Sequence, residues 1–542
     1  MKKLYRALSA AGLLMAAPAV AASPVVEAPA GTVEGKTVGK VRAFKGIPFA
    51  QPPVGPLRWK APQPLPTWQG VRKAQSFGAA CIQPRPNAVH IYANPPAKIS
   101  EDCLTLNIWA PEQIKDAPVI VWIHGGALAT GYSHEGMYDG AKLAARGAIV
   151  VSINYRLGVL GYMAHPGLSA ESPDGVSGNY GLLDQIAALE WVKANIGAFG
   201  GDAANVTIAG ESAGALSVLY LMASPKARGL FHKAIAQSAY MISTPSLKEV
   251  RHGEPAAEAT GERVAAALGA ADIAALRKVD PVALTDGAAK AGYFPWGTVD
   301  GKILPDQLVD IFDRGEQAPV PVIAGFNIGE IRSLRMLAPP VPANAAAYEA
   351  AIRERYGDLA DAWLKLYPAT NLAETILATP RDALYGWTSE RLAIKQTALG
   401  QPAYLYLFDH GYPTASEYGL HGFHAAEIPF VFGTAGDTPP YWPKIPDTVA
   451  ERRFATAMGD YWVSFAKTGK PEAPGQAAWR PYGKDAAFMA FADIPRAGTR
   501  LMPAMYALHE AAVCRRRAAG NQPWNWNTGI VSPVLAKDAN CP

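Results

Sequence analysis

The chain has 542 residues and a mass of 57.4 kDa; with 49% hydrophobic and 18% charged residues it can build a large core, which excludes a disordered, collagen-like or coiled-coil chain. One enlarged α/β unit and two ordinary domains are both open at this length. The 50 basic and 46 acidic residues leave a net charge of +4, too weak and too evenly spread for phosphate-backbone binding, so nucleic acid is excluded as the main partner.

Lys2, Lys3 and Arg6 precede an apolar run, 8–20, that ends in the small-residue pattern Ala19-Val20-Ala21. This is the pattern of a secretory signal peptide over residues 1–22, and it predicts an exported protein, periplasmic or secreted. Its removal takes away those three cations and leaves 47 basic against 46 acidic residues. The run is only about two-thirds of the ~20 apolar residues a membrane anchor needs, and no later segment reads as membrane-spanning. Export makes oxidation of the four cysteines the expectation. They fall into two local couples, Cys81 with Cys103 and Cys514 with Cys541, although three pairings exist in principle and buried free thiols are the alternative. No cysteine lies near a second cysteine or a histidine at zinc-ligand spacing, so no metal site is expected.

Residues 25–50 alternate polar and apolar with glycines, which predicts short antiparallel strands in a small N-terminal sheet, and the Pro-rich stretch 52–66 predicts an extended surface segment. From Ala117 the pattern changes. The continuous apolar runs 118–123, 148–153 and 206–209 predict strands buried on both faces of a sheet, with helices over 182–195 and 213–222. Alternation of strand and helix predicts a large, mainly parallel sheet covered by helices. Residues 245–290 and 343–400, rich in alanine and charge at helical spacing, read as helical insertions over the sheet, within one enlarged α/β domain spanning 23–542.

The chemistry centres on Gly210-Glu211-Ser212-Ala213-Gly214, a G-x-S-x-G placed between a buried strand and a helix. Glycines two before and two after the serine allow a turn sharp enough to project Oγ into a cleft, while the helix beginning at Ala213 offers free N–H groups to developing negative charge. The bland alternative is a chance tight turn around a buried serine; the strand and helix on either side favour a nucleophile. Such a hydroxyl needs a base, and the oxyanion it creates needs donors already in place. His124-Gly125-Gly126-Ala127 follows a strand ending at Ile123, and its glycines let backbone N–H groups approach a carbonyl. Gly126, Ala127 and Ala213 are the expected oxyanion donors.

With these motifs in hand, the chain resembles the type B carboxylesterase and cholinesterase family of α/β-hydrolases from about Val33 to about Ala492. The blocks Phe44-Lys45-Gly46-Ile47-Pro48-Phe49-Ala50, Pro52-Pro53-Val54-Gly55 with Leu57-Arg58-Trp59, and Glu101-Asp102-Cys103-Leu104-Thr105-Leu106-Asn107 match its N-terminal part. So do Asn154-Tyr155-Arg156, Gly178-Asn179-Tyr180-Gly181-Leu182-Leu183-Asp184-Gln185 and Phe199-Gly200-Gly201-Asp202. The resemblance implies an α/β-hydrolase fold, a Ser/Glu/His triad in that chain order, and a disulfide joining Cys81 to Cys103. A Cys514–Cys541 bond lies outside the matched region and rests on the cysteine count alone.

Ser212 matches the family nucleophile. Glu330, at the end of Pro321-Val322-Ile323-Ala324-Gly325-Phe326-Asn327-Ile328-Gly329-Glu330, matches the family acid, with Gly329 where the family often carries another acidic residue. His424 matches the base by its distance to Glu427-Ile428-Pro429; His421 is its rival, and Ala425 replaces the glycine usual after the histidine. Glu427 reads as a structural support for that loop. Ser238 resembles a serine that hydrogen-bonds within the triad, with a core hydroxyl satisfied by backbone as the alternative, and Glu211 stands directly before the nucleophile. Leu128, Trp296, Trp387 and Phe432, together with Tyr293 and Phe294, are candidates for lining the substrate pocket. The loop Gly125-Gly126-Ala127-Leu128 resembles the version found in enzymes that accept esters of tertiary alcohols.

These assignments predict a carboxylesterase acting on small-molecule esters through an acyl-enzyme, as a monomer or weak homo-oligomer with no cofactor, metal or membrane anchor. The same triad would serve an amidase, lactonase or thioesterase. A non-catalytic cholinesterase-like binding module is the reading of a different class, and it is disfavoured because Ser212, Glu330 and His424 are all present.

Overall fold

The computed structural model describes residues 23–85 and 89–541. The signal-peptide assignment, residues 1–22, lies outside the described residues. β1 (Val25–Ala28) and β2 (Gly31–Glu34) pair antiparallel, Val26 opposite Val33. β3 (Lys36–Val38) and β4 (Val41–Pro48) do not join them. Phe44 and Ile47 make one face of β4 too apolar for a small exposed sheet; both are fully buried at the edge of the large sheet, Phe44 edge-on to Phe199 at 5.0 Å. β5 (Val71–Lys73) returns after the Pro-rich stretch and pairs with β2 in parallel, as a long connection permits. The small sheet is therefore mixed rather than antiparallel. The Pro-rich stretch itself is not purely a surface segment. It turns at Gly55–Leu57, then buries Arg58, which clamps Glu101 through two bonds of 2.7 Å, and Trp59, which donates to the Val159 carbonyl at 2.9 Å.

β6 (Ala80–Cys81) and β7 (Ile99–Ser100) form a two-stranded ladder beside the Cys81–Cys103 disulfide. Next come β8 (Thr105–Pro111), β9 (Ala117–Ile123), β10 (Ile149–Ile153), β11 (Gly201–Glu211) and β12 (Lys233–Gln237). β13 (Val322–Asn327), β14 (Ala403–Phe408), β15 (Ala487–Phe491) and β16 (Pro495–Thr499) complete the set. The large sheet has eleven strands in the order β16-β15-β14-β13-β12-β11-β9-β10-β8-β4-β3. Every pairing from β15 across to β10 is parallel, and both flanks are antiparallel.

All seven residues of β9 are buried, and the strand's two-residue period sends them to opposite faces. Val119, Val121 and Ile123 pack with the helix Ala213–Ala223; Ile120 and Trp122 face the helix Val449–Thr468 through Tyr461, Trp462 and Phe465. The continuous apolar runs follow from this double cover. In the two stretches expected to be helical insertions, the helices are Ala257–Ala267, Ile273–Lys278 and Pro281–Lys290, then Ala345–Tyr356, Ala360–Leu366, Leu372–Pro380 and Trp387–Ala398. Asp272 and Asn344 cap two of them by accepting backbone N–H bonds at 2.7 and 2.9 Å. Among the described residues no helix is long and apolar enough to cross a membrane.

The second disulfide, Cys514–Cys541, is also formed and leaves no free cysteine among the described residues. Arg156 and Asp184, from two of the quoted blocks, form a buried bidentate pair with two bonds of 2.7 Å. Removing one partner of such a pair strands a buried charge. Asp184→Ala is expected to lose about 3 to 5 kcal/mol of stability in urea unfolding, and a loss below about 1 kcal/mol, the range of an exposed pair, would contradict that assignment.

Candidate active site

Parallel strands end at the same edge of a sheet, so β9, β11, β13 and β14 deliver the loops that follow them to one place. After β9 comes His124-Gly125-Gly126-Ala127, after β11 comes Ser212, after β13 comes Glu330, and after β14 comes the loop bearing His424.

Ser212 sits at φ 56°, ψ −122° between β11 and the helix Ala213–Ala223, a strained backbone that few non-glycine residues adopt. Two glycines make this turn possible. A Cβ at Gly210 would meet the Gly214 backbone at 2.5 Å, and one at Gly214 would meet the Ile123 carbonyl at 2.1 Å, so the helix start is pressed directly onto the end of β9. The glycine loop lies against the serine: a Cβ on Gly125 would be 3.3 Å from Ser212 Cβ and 2.9 Å from the Glu211 carbonyl. Gly126 is at φ 102°, and a side chain there would strike the Thr130 carbonyl at 2.2 Å. Ala127 and Leu128 hold φ 57° without glycine's freedom. Among the described residues, the N–H groups of Gly126, Ala127 and Ala213 have no acceptor. The loop is braced from behind by His124, whose Nδ1 donates to the Gly125 carbonyl at 2.8 Å and whose own carbonyl accepts from Tyr155 at 2.8 Å. Burial lowers the His124 imidazole to about 4, which keeps it neutral.

Glu330 is fully buried and fully bonded. Its Oε1 accepts from the Asn327 N–H at 2.8 Å and from Ser238 Oγ at 2.6 Å, while Oε2 meets His424 Nδ1. Gly329 explains its departure from the family pattern. Its N–H donates to the Gly422 carbonyl at 2.7 Å, and a Cβ would lie 2.6 Å from the Leu420 carbonyl, so an acidic side chain would separate Glu330 from the histidine loop. Ala425 holds φ 67°, the conformation that makes glycine usual there. Glu427 accepts from Gln237 Nε2 at 2.8 Å and Asn327 Nδ2 at 2.6 Å, and Asn327 also donates to the Phe423 carbonyl at 2.7 Å, tying the loop to β12 and β13. His421 is half exposed, with Nε2 3.4 Å from Asp409, and lies away from this constellation.

His424 Nε2 lies 3.0 Å from Glu211 Oε1; among the described residues no hydrogen bond joins it to Ser212 Oγ. Burial lowers the basicity of His424, but the nearby carboxyls of Glu211, Glu330 and Glu427 outweigh it and raise its pKa. Burial likewise pushes the Glu211 carboxyl up, against the pull of the imidazole.

Of the expected pocket residues, Leu128 is buried and its carbonyl accepts from the Gly158 N–H at 2.7 Å. Trp296 is half-buried between Phe294 at 4.9 Å and Trp526 at 5.6 Å, while Tyr293 packs in a separate cluster behind. Trp387 and Phe432 belong to the core instead. Each is 1% exposed; Trp387 donates to Glu510 at 2.7 Å and Phe432 stands edge-on to Trp122 at 4.9 Å, leaving no surface for a substrate. Two residues that no sequence motif flagged lie beside His424. Tyr92, from the loop closed by Cys81–Cys103, donates to the His424 carbonyl at 2.8 Å and lies 2.7 Å from Ser333 Oγ, and the Tyr385 ring is 5.4 Å from the imidazole. Tyr385 is carried by the π-helical turn Arg381–Gly386, a geometry that recurs at functional sites.

A twisted, mostly parallel sheet with these four loops at its carboxyl edge defines an α/β-hydrolase. Residues 22–507 match the model of the carboxylesterase family, and the chain belongs to that family. It is 37% identical over 487 residues to fumonisin B1 esterase of Sphingopyxis macrogoltabida, covering 85% of each chain. To para-nitrobenzyl esterase of Bacillus subtilis strain 168 it is 36% identical over 453 residues, covering 81% of this chain and 89% of the relative. Among solved structures, a para-nitrobenzyl esterase superposes with a TM-score of 0.75 at 32% identity, covering 88% of this chain and 97% of the other. A thermophilic para-nitrobenzyl esterase gives the same score over 90% and 99%. The protein is a carboxylic ester hydrolase by family.

The carboxyls around His424 make a prediction independent of turnover. Its imidazole should titrate above the ordinary histidine value of about 6.5, followed by NMR of the ring protons. Glu211→Gln removes a carboxylate favouring the imidazolium and should bring that midpoint down by about one unit; an unmoved midpoint would show that Glu211 does not hold the charge.

Proposed function

We propose that the protein is a serine carboxylesterase in which Ser212 is the nucleophile, His424 the general base and Glu330 the residue that orients it. The observation that supports this reading is the His424–Glu330 pair, whose other ring nitrogen lies 3.0 Å from Glu211, the residue directly before Ser212 in its strained turn. Ser212 Oγ attacks the ester carbonyl as its proton passes to His424 Nε2, which exchanges Glu211 for the hydroxyl. The N–H groups of Gly126, Ala127 and Ala213 receive the oxyanion. His424 then gives the proton to the leaving alcohol. Water, deprotonated by the same imidazole, attacks the acyl-enzyme and releases the acid. Glu330 keeps the proton on Nδ1 and stabilises the imidazolium, and Ser238 and Asn327 hold that carboxylate in place.

The two disulfides support an oxidising, exported location. The relatives' names make para-nitrobenzyl esters and fumonisin B1 the first substrates to try.

Ser212→Ala should abolish hydrolysis of p-nitrophenyl acetate and covalent labelling by an organophosphate, with an unchanged melting curve. Turnover above about a tenth of wild type would remove Ser212 from its role. His424→Ala should match that loss while His421→Ala stays near wild type, and the reverse order would assign the base to His421. Ala127 holds a left-handed φ beside the oxyanion site, and its methyl occupies space that glycine leaves open. Hydrolysis of tert-butyl acetate should therefore be measurable and rise in Ala127→Gly; a wild type active on p-nitrophenyl acetate but silent on tert-butyl acetate, with no gain in the variant, would sink this reading of the loop.

A further inference from the structure

Beside the segment that presents Glu330 lies a cavity of about 330 Å³, at the lower end of small-molecule sites. Ile328, Gly329 and Ile331 form one wall, so the cavity touches the backbone on both sides of Glu330 without including Ser212, Glu330 or His424. Leu377 and Ala378 supply an apolar floor. The charged groups around it are unequal: Arg332 and Arg381 line it, against the single carboxylate of Glu374.

Arg381 is held by Asp382 through bonds of 2.6 and 3.0 Å, yet its Nη1 makes only a 3.3 Å bond to the Ile328 carbonyl, and 15% of the side chain stays accessible. Arg332 pairs with Glu374 at 2.5 Å, but Glu374 is half exposed. An exposed pair of this kind contributes little, so a carboxylate entering the cavity replaces Glu374 at small cost. A guanidinium fork is suited to a planar carboxylate, and the apolar floor to a short hydrocarbon or ring.

We propose that this cavity is a second binding site, for a small organic carboxylate whose charged end meets Arg332 and Arg381 and whose apolar end lies on Leu377 and Ala378. Occupancy stiffens Ile328 and Gly329. Its effect on turnover rests on the role given to Glu330 above; the binding does not.

The test is calorimetric titration of benzoate into the wild-type protein, Arg332→Ala and Glu374→Gln, with melting curves to confirm folding. The two variants break the same ion pair but change the charge in opposite directions. Arg332→Ala should weaken benzoate binding by tenfold or more, and Glu374→Gln should tighten it severalfold. Binding that is absent in the wild type, equal in all three proteins, or weakened in both variants would overturn the site. With binding established, saturating benzoate should change kcat for p-nitrophenyl acetate in the wild type and not in Arg332→Ala. Tight binding with kcat unmoved would keep the site and overturn its coupling to Glu330.

Discussion

Parallel register across the centre of the sheet is the constraint on which the rest of the molecule depends. With Val121 beside Ile208, Ile208 beside Ala234, Ile235 beside Ile323 and Ile323 beside Tyr404, the strands β9, β11, β12, β13 and β14 all point the same way. Their carboxyl ends then share one edge, and residues far apart in the chain become neighbours without any loop having to reach far. The requirement for glycine at 125, 210, 214 and 329 follows from the same geometry, because backbones that converge this closely leave no room for a Cβ.

Convergence also concentrates charge. Glu211, Glu330 and Glu427 are all buried around one imidazole, an arrangement that costs desolvation for each carboxylate. The molecule offsets that cost with donors rather than with cations. Glu330 receives a backbone N–H and a hydroxyl, and Glu427 receives two amides, which leaves Glu211 as the least satisfied of the three. Its Oε1 lies 3.0 Å from His424 Nε2, so the two are linked in their titration.

At the end of the stretch matching the family and past it, the C-terminal helix Met505–Ala519 and the residues after it fasten the helices that lie over the sheet. Glu510 accepts from Arg391 and Trp387, Arg515 clamps Asp358 at 2.7 and 2.9 Å, and Arg517 reaches Asp313 at 2.8 Å. His509 meets Tyr367, which bonds Asp382 at 2.9 Å, and Asp382 holds Arg381 against the wall of the cavity beside the Glu330 segment. Cys514–Cys541 closes this tail, and Trp526 brings it against Trp296.

What the sequence determined by itself was whatever local physics dictates. Apolar runs marked strands buried on both faces and Gly210 and Gly214 marked the turn at Ser212, whereas Glu330 and His424 were marked only by their resemblance to the family's motifs. The edge strands were less legible, because alternation in residues 36–48 does not say which sheet will cover Phe44. Aromatic content alone likewise did not separate Trp387 and Phe432, which are core, from residues that face a cleft. Tertiary structure alone decided the pairings across long separations: Ser238 with Glu330 over 92 residues, Tyr92 with the His424 loop over 332, and Glu211 rather than Ser212 at His424 Nε2. A hydrogen bond between remote residues leaves no periodicity and no spacing rule in the chain. It exists only once the sheet's register has fixed where each loop emerges.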